Sequence, residues 1–213
     1  MDKISISELS IDHVKVSAVY NVRSLGTRFD NHLSMKTAIN KTCQSGLYHL
    51  HNKGRMKSFL SFEDRKSIVQ AIVMSRIDHC NSLLYGVAAT KLSKLQRVQN
   101  AAVRLVCSLP RHEHVTSSFI RLPWLPIKFR INFKIAMLCF KCIHGHAPNY
   151  LKSMVAINKT STYNLRSSTS IQLEDHYRRS KKTLSDRAFS NAPAKIWNSL
   201  PQSSQQNFNT FKT

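Results

Sequence analysis

The segment that most constrains the fold is a long, almost wholly apolar stretch from Ile127 to Ile143. It begins directly after Pro126, and Gly145 follows it, as expected at the two ends of a helix. A helix that is apolar on nearly every face lies in a protein core or a bilayer. Basic residues interrupt the stretch, and no uninterrupted apolar run in the chain reaches the roughly 18 residues of a membrane span. The sequence therefore predicts a fold built around this helix, with no transmembrane span.

A small β element is predicted near the N-terminus. Val14, Val16 and Val22 belong to an alternating pattern of apolar and polar residues, which is typical of a half-buried strand. Thr27 to Phe29 predicts a second short strand, and the turn-forming residues 30–32 end it.

Most of the remaining chain has helical spacing, so the predicted fold class is mainly α. Ser34 and Thr90 are predicted to cap two of the helices, and Ser61 to Asp64 resembles a capping box. A short helix is predicted before the central one and another near the C-terminus. The predicted helices span 34–52, 61–80, 90–110, 114–121, 127–143 and 187–200.

The charge of the chain indicates a polyanionic partner. Its 32 Lys and Arg against 11 Asp and Glu give a net charge of +21. Such a chain favours nucleic acid, because neutralising phosphates releases counterions, and an anionic membrane surface is the alternative. The candidate nucleic-acid-binding residues are Lys91, Lys94, Arg97, Arg104, Lys128, Arg130, Arg178, Arg179, Lys181 and Lys182.

A solvated helix face is the other interpretation of these bases. It is weakened by the lack of acids, because a merely soluble surface mixes both signs. Gln96, Gln99 and Asn100 lie among the first bases and are further candidates for phosphate or sugar contacts. Trp124 could stack on a base, but its place between two prolines favours a core anchor.

Catalysis by this chain alone is not predicted. Two-metal nucleotidyl transfer needs clustered carboxylates, and the chain contains no Asp-Asp pair. The doublet Glu63-Asp64 suits a helix N-terminus, and Glu174-Asp175 suits charge balancing in a basic loop. His112-Glu113-His114 lacks the spacing of a zinc protease motif, and the chain has no Gly-rich phosphate loop.

Two interpretations remain for the cluster Cys139, Cys142, His144 and His146. These are zinc-ligand types, yet all four lie within a few residues at the end of an apolar helix, where core packing accounts for buried cysteines. The chain has five cysteines, an odd number, which favours a reducing compartment over a disulfide framework. A nuclear or cytoplasmic location is therefore expected.

Five segments, in order, resemble the C-terminal region of non-LTR (LINE-type, jockey-like) retrotransposon reverse transcriptases. The long apolar stretch belongs to one of them, since the Pro-Trp-Leu-Pro before it and the Gly-His-Ala-Pro-Asn-Tyr-Leu after it both match the pattern of that family. The matching segments read VRSLGTRFD (22–30), SRIDHCNSLLYG (75–86), LQRVQNAAVR (95–104), LPWLPIKFRINFKIAMLCFKCIHGHAPNYL (122–151), and RAF (187–189) with AKIWNSLP (194–201).

The resemblance implies how the chain is divided into regions, and it implies that the chain is part of a longer protein. It implies that residues 1–33 are a residual palm edge, 34–110 a helical thumb, 111–156 a helical C-terminal core, and 157–213 a basic loop with a final helix. It also implies that the catalytic aspartates, their Mg²⁺ and the endonuclease lie upstream, so that no metal, cofactor or catalytic residue is assigned here. The expected partners are an RNA template or RNA–DNA duplex and the palm and fingers of the parent polyprotein.

The expected function is therefore nucleic-acid binding by part of an RNA-directed DNA polymerase, without a catalytic site of its own. The alternative is a decayed or domesticated retroelement remnant that acts as a non-catalytic nucleic-acid-binding or adaptor protein. A pocketed enzyme is a further alternative, and metal-dependent primer extension by the isolated chain would favour it.

Overall fold

The computed structural model describes residues 8–11, 13–55, 57–158, 171–174 and 185–201, and it confirms a mainly helical fold with a small N-terminal β element. The basic run at 178–182 lies outside these residues. The strands are β1 (Glu8–Ile11), β2 (Val14–Ser17), β3 (Asn21–Ser24) and β4 (Thr27–Asp30). The helices are α1 (Lys36–Gly54), α2 (Phe62–Val69), α3 (Ser75–Asp78), α4 (Ala89–Cys107), α5 (Thr116–Arg121), α6 (Ile127–Ile143), α7 (Asn149–Lys152) and α8 (Ala192–Trp197).

The strands form two separate antiparallel hairpins, β1–β2 and β3–β4. Leu25 and Gly26, both with positive φ, form the two-residue turn of the second hairpin, a geometry that matches the twist of paired strands. The prediction that Val14, Val16 and Val22 lie on a half-buried face is wrong, because their side chains are 62%, 48% and 50% exposed. A two-stranded hairpin buries a face only when another layer covers it, and no described element covers these valines.

Most helix boundaries agree with the sequence pattern. The capping box is confirmed: the Ser61 hydroxyl accepts from the Asp64 N–H, and the Asp64 carboxylate accepts from the Ser61 N–H. A π-helical turn, Gln70–Met74, joins α2 to α3, so the helix predicted over 61–80 is continuous but locally widened. The apolar stretch forms α6 with the predicted bounds.

Three helix predictions need correction. Met35, in the left-handed region, is the N-cap of α1, and Ser34 instead accepts a hydrogen bond from the Lys36 N–H. Helix α4 starts one residue before Thr90, because the turn at Gly86 and buried Val87 already set its direction. The final helix is shorter than predicted, since Pro193 has no N–H to donate and fits only in the first turn of α8.

One main core joins the helices. It contains buried apolar residues from Met35 to Ile196, contributed by α1 to α4, α6 and α8 and by segments between them. Trp124 is buried within it, as the prolines around it indicated.

Helices α1 and α4 run in the same direction and form the largest helix–helix contact. Ser34 lies beside Lys91, Asn40 beside Lys94, and Gly46 beside Val98, so contacts advance together along both helices. Gly46 is buried at their closest approach, where an added Cβ would lie 2.8 Å from Val98 Cγ1. The missing side chain allows the two backbones to come together.

A second, smaller core lies where α8 meets the C-terminal half of α6. Trp197 is fully buried beside Cys139 and Phe140, and its indole N–H donates to the Ile171 carbonyl at 2.9 Å. The Asn198 amide pairs with both backbone groups of Leu173 at 3.0 Å, as a neighbouring strand would. These bonds hold residues 171–174 against α8.

Candidate nucleic-acid interface

Two of the predicted bases form an exposed pair on α4, next to α1. Lys94 and Arg97 are both exposed, and their charges act on the Cys43 thiol of α1, where burial raises the pKa and these two cations lower it, leaving it raised overall. Lys94 also donates to the Asn40 side chain at 3.1 Å. No ion pair to either base is found within the described ranges. We call Lys94, Arg97, Asn40 and Cys43 the α1–α4 basic face.

The other two predicted basic residues of α4 donate hydrogen bonds to backbone carbonyls within the protein. The Lys91 ammonium donates to the Ser34 carbonyl at 3.0 Å, which ties α4 to the start of α1. The Arg104 guanidinium donates to the Glu113 carbonyl at 3.2 Å and is half-buried. Both side chains are therefore less available to a ligand than Lys94 and Arg97.

The bases of α6 are likewise divided. Lys128 is exposed, whereas Arg130 forms an ion pair with Asp78 and donates to the Leu125 carbonyl at 3.0 Å. Arg130 thus links α6 to α3. The remaining candidates, Arg178, Arg179, Lys181 and Lys182, lie outside the described residues.

The amide side chains of α4 position the neighbouring helix. Gln99 is fully buried and donates to the Leu125 carbonyl at 2.8 Å, so the expected phosphate contact is wrong for this residue. Gln96 accepts from the Ile127 N–H at 2.9 Å, which satisfies a free donor at the start of α6, and it also donates to Asn100. These amide side chains therefore form hydrogen bonds that connect α4 to the start of α6. The spacing of residues in the sequence does not distinguish such bonds from contacts to a ligand.

Most described acids are already engaged within the protein. Asp30 is buried and accepts from both the N–H and the hydroxyl of Ser34, while Asp64 caps α2. Three further carboxylates form ion pairs: Glu63 with Lys66, Asp78 with Arg130, and Asp186 with Lys195. Local pairing therefore leaves the excess positive charge uncompensated at the surface.

The structure also reveals a basic cleft that sequence reasoning missed. A cavity of about 440 Å³ lies between the β3–β4 hairpin, α1 and α3, and its described lining contains no carboxylate. Its apolar floor includes Ile39 and Ile77, and His79 donates to the Leu25 carbonyl at its edge. The bases that line it are Arg23, Arg28, Lys41 and Arg76. Only folding brings these three distant segments together, so no local motif signals the cleft.

In the cysteine–histidine cluster, Cys139 and Cys142 are buried, whereas His144 and His146 are exposed. Burial, with a smaller effect of the nearby Cys142, raises the pKa of Cys139 to about 12, far from the thiolate that binds zinc. His144 stacks on Phe140 with ring centroids 3.9 Å apart. Among the residues that the structure describes, no three His, Cys, Asp or Glu side chains are grouped to hold a metal ion. None of the described helices is both long and apolar enough to span a bilayer.

No protein-family model matches the chain, and comparisons with curated proteins and with solved structures found no match either.

Proposed function

We propose that the chain binds nucleic acid, an RNA template or RNA–DNA duplex, as the non-catalytic thumb and C-terminal part of a LINE-type reverse transcriptase. The observation that carries this proposal is the α1–α4 basic face, where Lys94 and Arg97 are both exposed while most described acids are engaged within the protein. Phosphate groups are the natural counterpart of two exposed cations on a rigid helix.

The rigidity of α4 supports this role. Gly46 and Val98 fix α4 against α1, and Gln96 and Gln99 fix it against the start of α6, so the two bases project from a helix held on both sides. Neither the sequence nor the structure defines a geometry by which Lys94 or Arg97 would recognise particular nucleotide bases. The binding is therefore expected to depend on phosphates and to tolerate any sequence.

The test is salt-dependent binding of the purified full chain to a labelled RNA–DNA hybrid of about 20 base pairs, measured by fluorescence anisotropy. In the double variant Lys94→Glu/Arg97→Glu, each lost phosphate contact should reduce the slope of log K against log salt by about 1, giving a loss of about 2. Affinity at low salt should fall by roughly tenfold or more.

The matched control is Lys15→Glu/Arg55→Glu, which changes net charge by the same amount at two exposed positions that do not belong to the α1–α4 basic face. The control should keep a slope close to that of the unmodified chain. Equal losses in both double variants would mean that diffuse net charge, and not the α1–α4 basic face, attracts the nucleic acid. An unchanged slope in Lys94→Glu/Arg97→Glu would remove these two residues from the interface.

A further inference from the structure

The proposed function does not use an apolar groove that is lined by other residues than the α1–α4 basic face. It has a volume of about 1130 Å³ and lies between α5, the loop that carries Trp124, the outer face of α6, and the end of α8. We call it the α5–α6 groove. Three of its lining side chains project far into solvent: Ile120 is 81% exposed, Phe129 57% and Leu125 42%.

The apolar residues that line the groove form a surface suited to a helix. Phe129, Phe133 and Met137 are spaced four residues apart and line one stripe of α6, while Ile120 and Leu125 face the same groove from the preceding segment. A contiguous apolar patch beside polar residues marks an interaction site. Grooves between helices with this character bind the apolar face of an amphipathic helix.

The charge around the groove defines the flanks of that helix. Asp78 is the one acid among the described lining residues, and its charge is neutralised by the ion pair with Arg130. Lys134 also lines the groove, and no described acid forms an ion pair with it. The described lining therefore carries a net positive charge, and an occupant with acidic residues beside its apolar face is complementary to it.

The same charge disfavours a second copy of this chain as the occupant. A second copy carries its own net charge of +21. Two molecules that both carry this charge repel each other when they are brought together. We propose that the α5–α6 groove binds an amphipathic helix with acidic flanks, supplied by a partner protein.

The test uses a labelled synthetic peptide of about 18 residues, long enough for five helical turns. Leucines occupy positions i, i+3, i+4 and i+7 and glutamates the others, and a matched peptide replaces every glutamate with lysine. The acidic peptide should bind the full chain, and the lysine peptide should bind at least about tenfold more weakly. The double variant Ile120→Ser/Phe129→Ser should weaken the acidic peptide by at least about tenfold.

The matched control is Leu25→Ser/Phe59→Ser, which removes two apolar side chains that are 90% and 85% exposed outside the groove. It should bind the acidic peptide like the unmodified chain. Because all four residues are exposed, both double variants should keep their circular dichroism spectrum and Tm.

Four results would overturn the proposal. One is equal binding of the two peptides, and another is equal weakening by the two double variants. A third is an increase of about tenfold or more in the affinity for the acidic peptide when residues 202–213 are deleted. That result would mean that residues 202–213 themselves occupy the groove. The last is a dimer, seen by analytical ultracentrifugation, that Ile120→Ser/Phe129→Ser converts to a monomer. The α1–α4 basic face lies apart from the groove residues, so nucleic-acid binding succeeds or fails independently.

Discussion

Arg187 lies across Gly86 so closely that a Cβ added to this glycine would be 2.6 Å from Arg187 Cγ. From there the guanidinium donates to three backbone carbonyls, those of Leu33, Tyr85 and Leu83, at 2.8, 3.0 and 3.1 Å. Burial lowers the pKa of Arg187, and the charge of Asp30 opposes this effect. One side chain from the last described segment thus joins the β3–β4 region to the loop before α4.

Replacing Arg187 should destabilise the whole fold. Arg187→Ala leaves three carbonyls without this donor, and we expect a loss of about 2–3 kcal/mol in the free energy of unfolding. Arg187→Lys should recover only part of this, because an ammonium lacks the planar fork that reaches several carbonyls. Urea denaturation followed by circular dichroism measures both values. The control Arg55→Lys, at an exposed position, should remain within about 0.5 kcal/mol of the unmodified chain.

The helix pair α1–α4 should be sensitive to a single methyl group. Gly46→Ala places a Cβ 2.8 Å from Val98 Cγ1 and should destabilise the chain by about 1–3 kcal/mol through overpacking. Gly54→Ala is the matched control in the same helix, where an added Cβ meets nothing within 4 Å. This second variant should be neutral or stabilising by up to about 1 kcal/mol, because alanine favours the helix. Thermal unfolding of both variants compares them, and a destabilised Gly54→Ala would contradict the packing explanation.

Acid should remove a stabilising contribution of Asp30. Burial acts to raise the pKa of Asp30, but hydrogen bonds from Ser34 and His32 and the charge of Lys91 outweigh it and hold the value below its ordinary 3.8. The stabilisation is therefore complete above pH 3.8 and is lost as the pH falls through the lower folded-state pKa.

The variant Asp30→Asn isolates this effect. It should be less stable than the unmodified chain near neutral pH, and its free energy of unfolding should fall less steeply in the acid range. Urea unfolding at a series of pH values measures both slopes. Glu113→Gln, at an exposed carboxylate, is the control and should follow the unmodified chain. Parallel acid curves for Asp30→Asn and the unmodified chain would disprove the assignment.

The Cys139 thiol should report on unfolding. Burial, with a smaller contribution from Cys142, raises its pKa to about 12, so almost no thiolate forms near pH 8 and the side chain is shielded from solvent. Iodoacetamide followed by peptide mass spectrometry should leave Cys139 unmodified in the native chain and modify it in urea. Rapid modification under native conditions would show that the smaller core around Trp197 opens locally.

The strongest local patterns predicted the fold well. The apolar stretch gave the bounds of α6, and Ser61 with Asp64 gave the start of α2, because each depends on residues close in sequence. Thr90 failed as a cap because the preceding turn at Gly86 determines where α4 begins, and that turn is packed under Arg187. Tertiary contacts therefore overrode the local preference.

The candidate interface was only partly predictable for the same reason. Sequence identified a basic helix, but it could not separate exposed Lys94 and Arg97 from Lys91 and Arg104, whose partners are backbone carbonyls. Arg130 is engaged by Asp78, which lies 52 residues away in sequence. The basic cleft and the α5–α6 groove combine distant segments, so no periodicity indicated either one.

The bonds of Arg187 also bear on how the chain folds as it leaves the ribosome. The Leu33 carbonyl can accept a hydrogen bond from Arg187 only after 154 further residues have been synthesised. The carbonyls of Leu83 and Tyr85 can do so only after more than one hundred further residues. Contacts of such long sequence separation form late and slow folding. Until Arg187 emerges, the nascent protein exposes an incomplete core, and this interval is when we expect chaperones to be most needed.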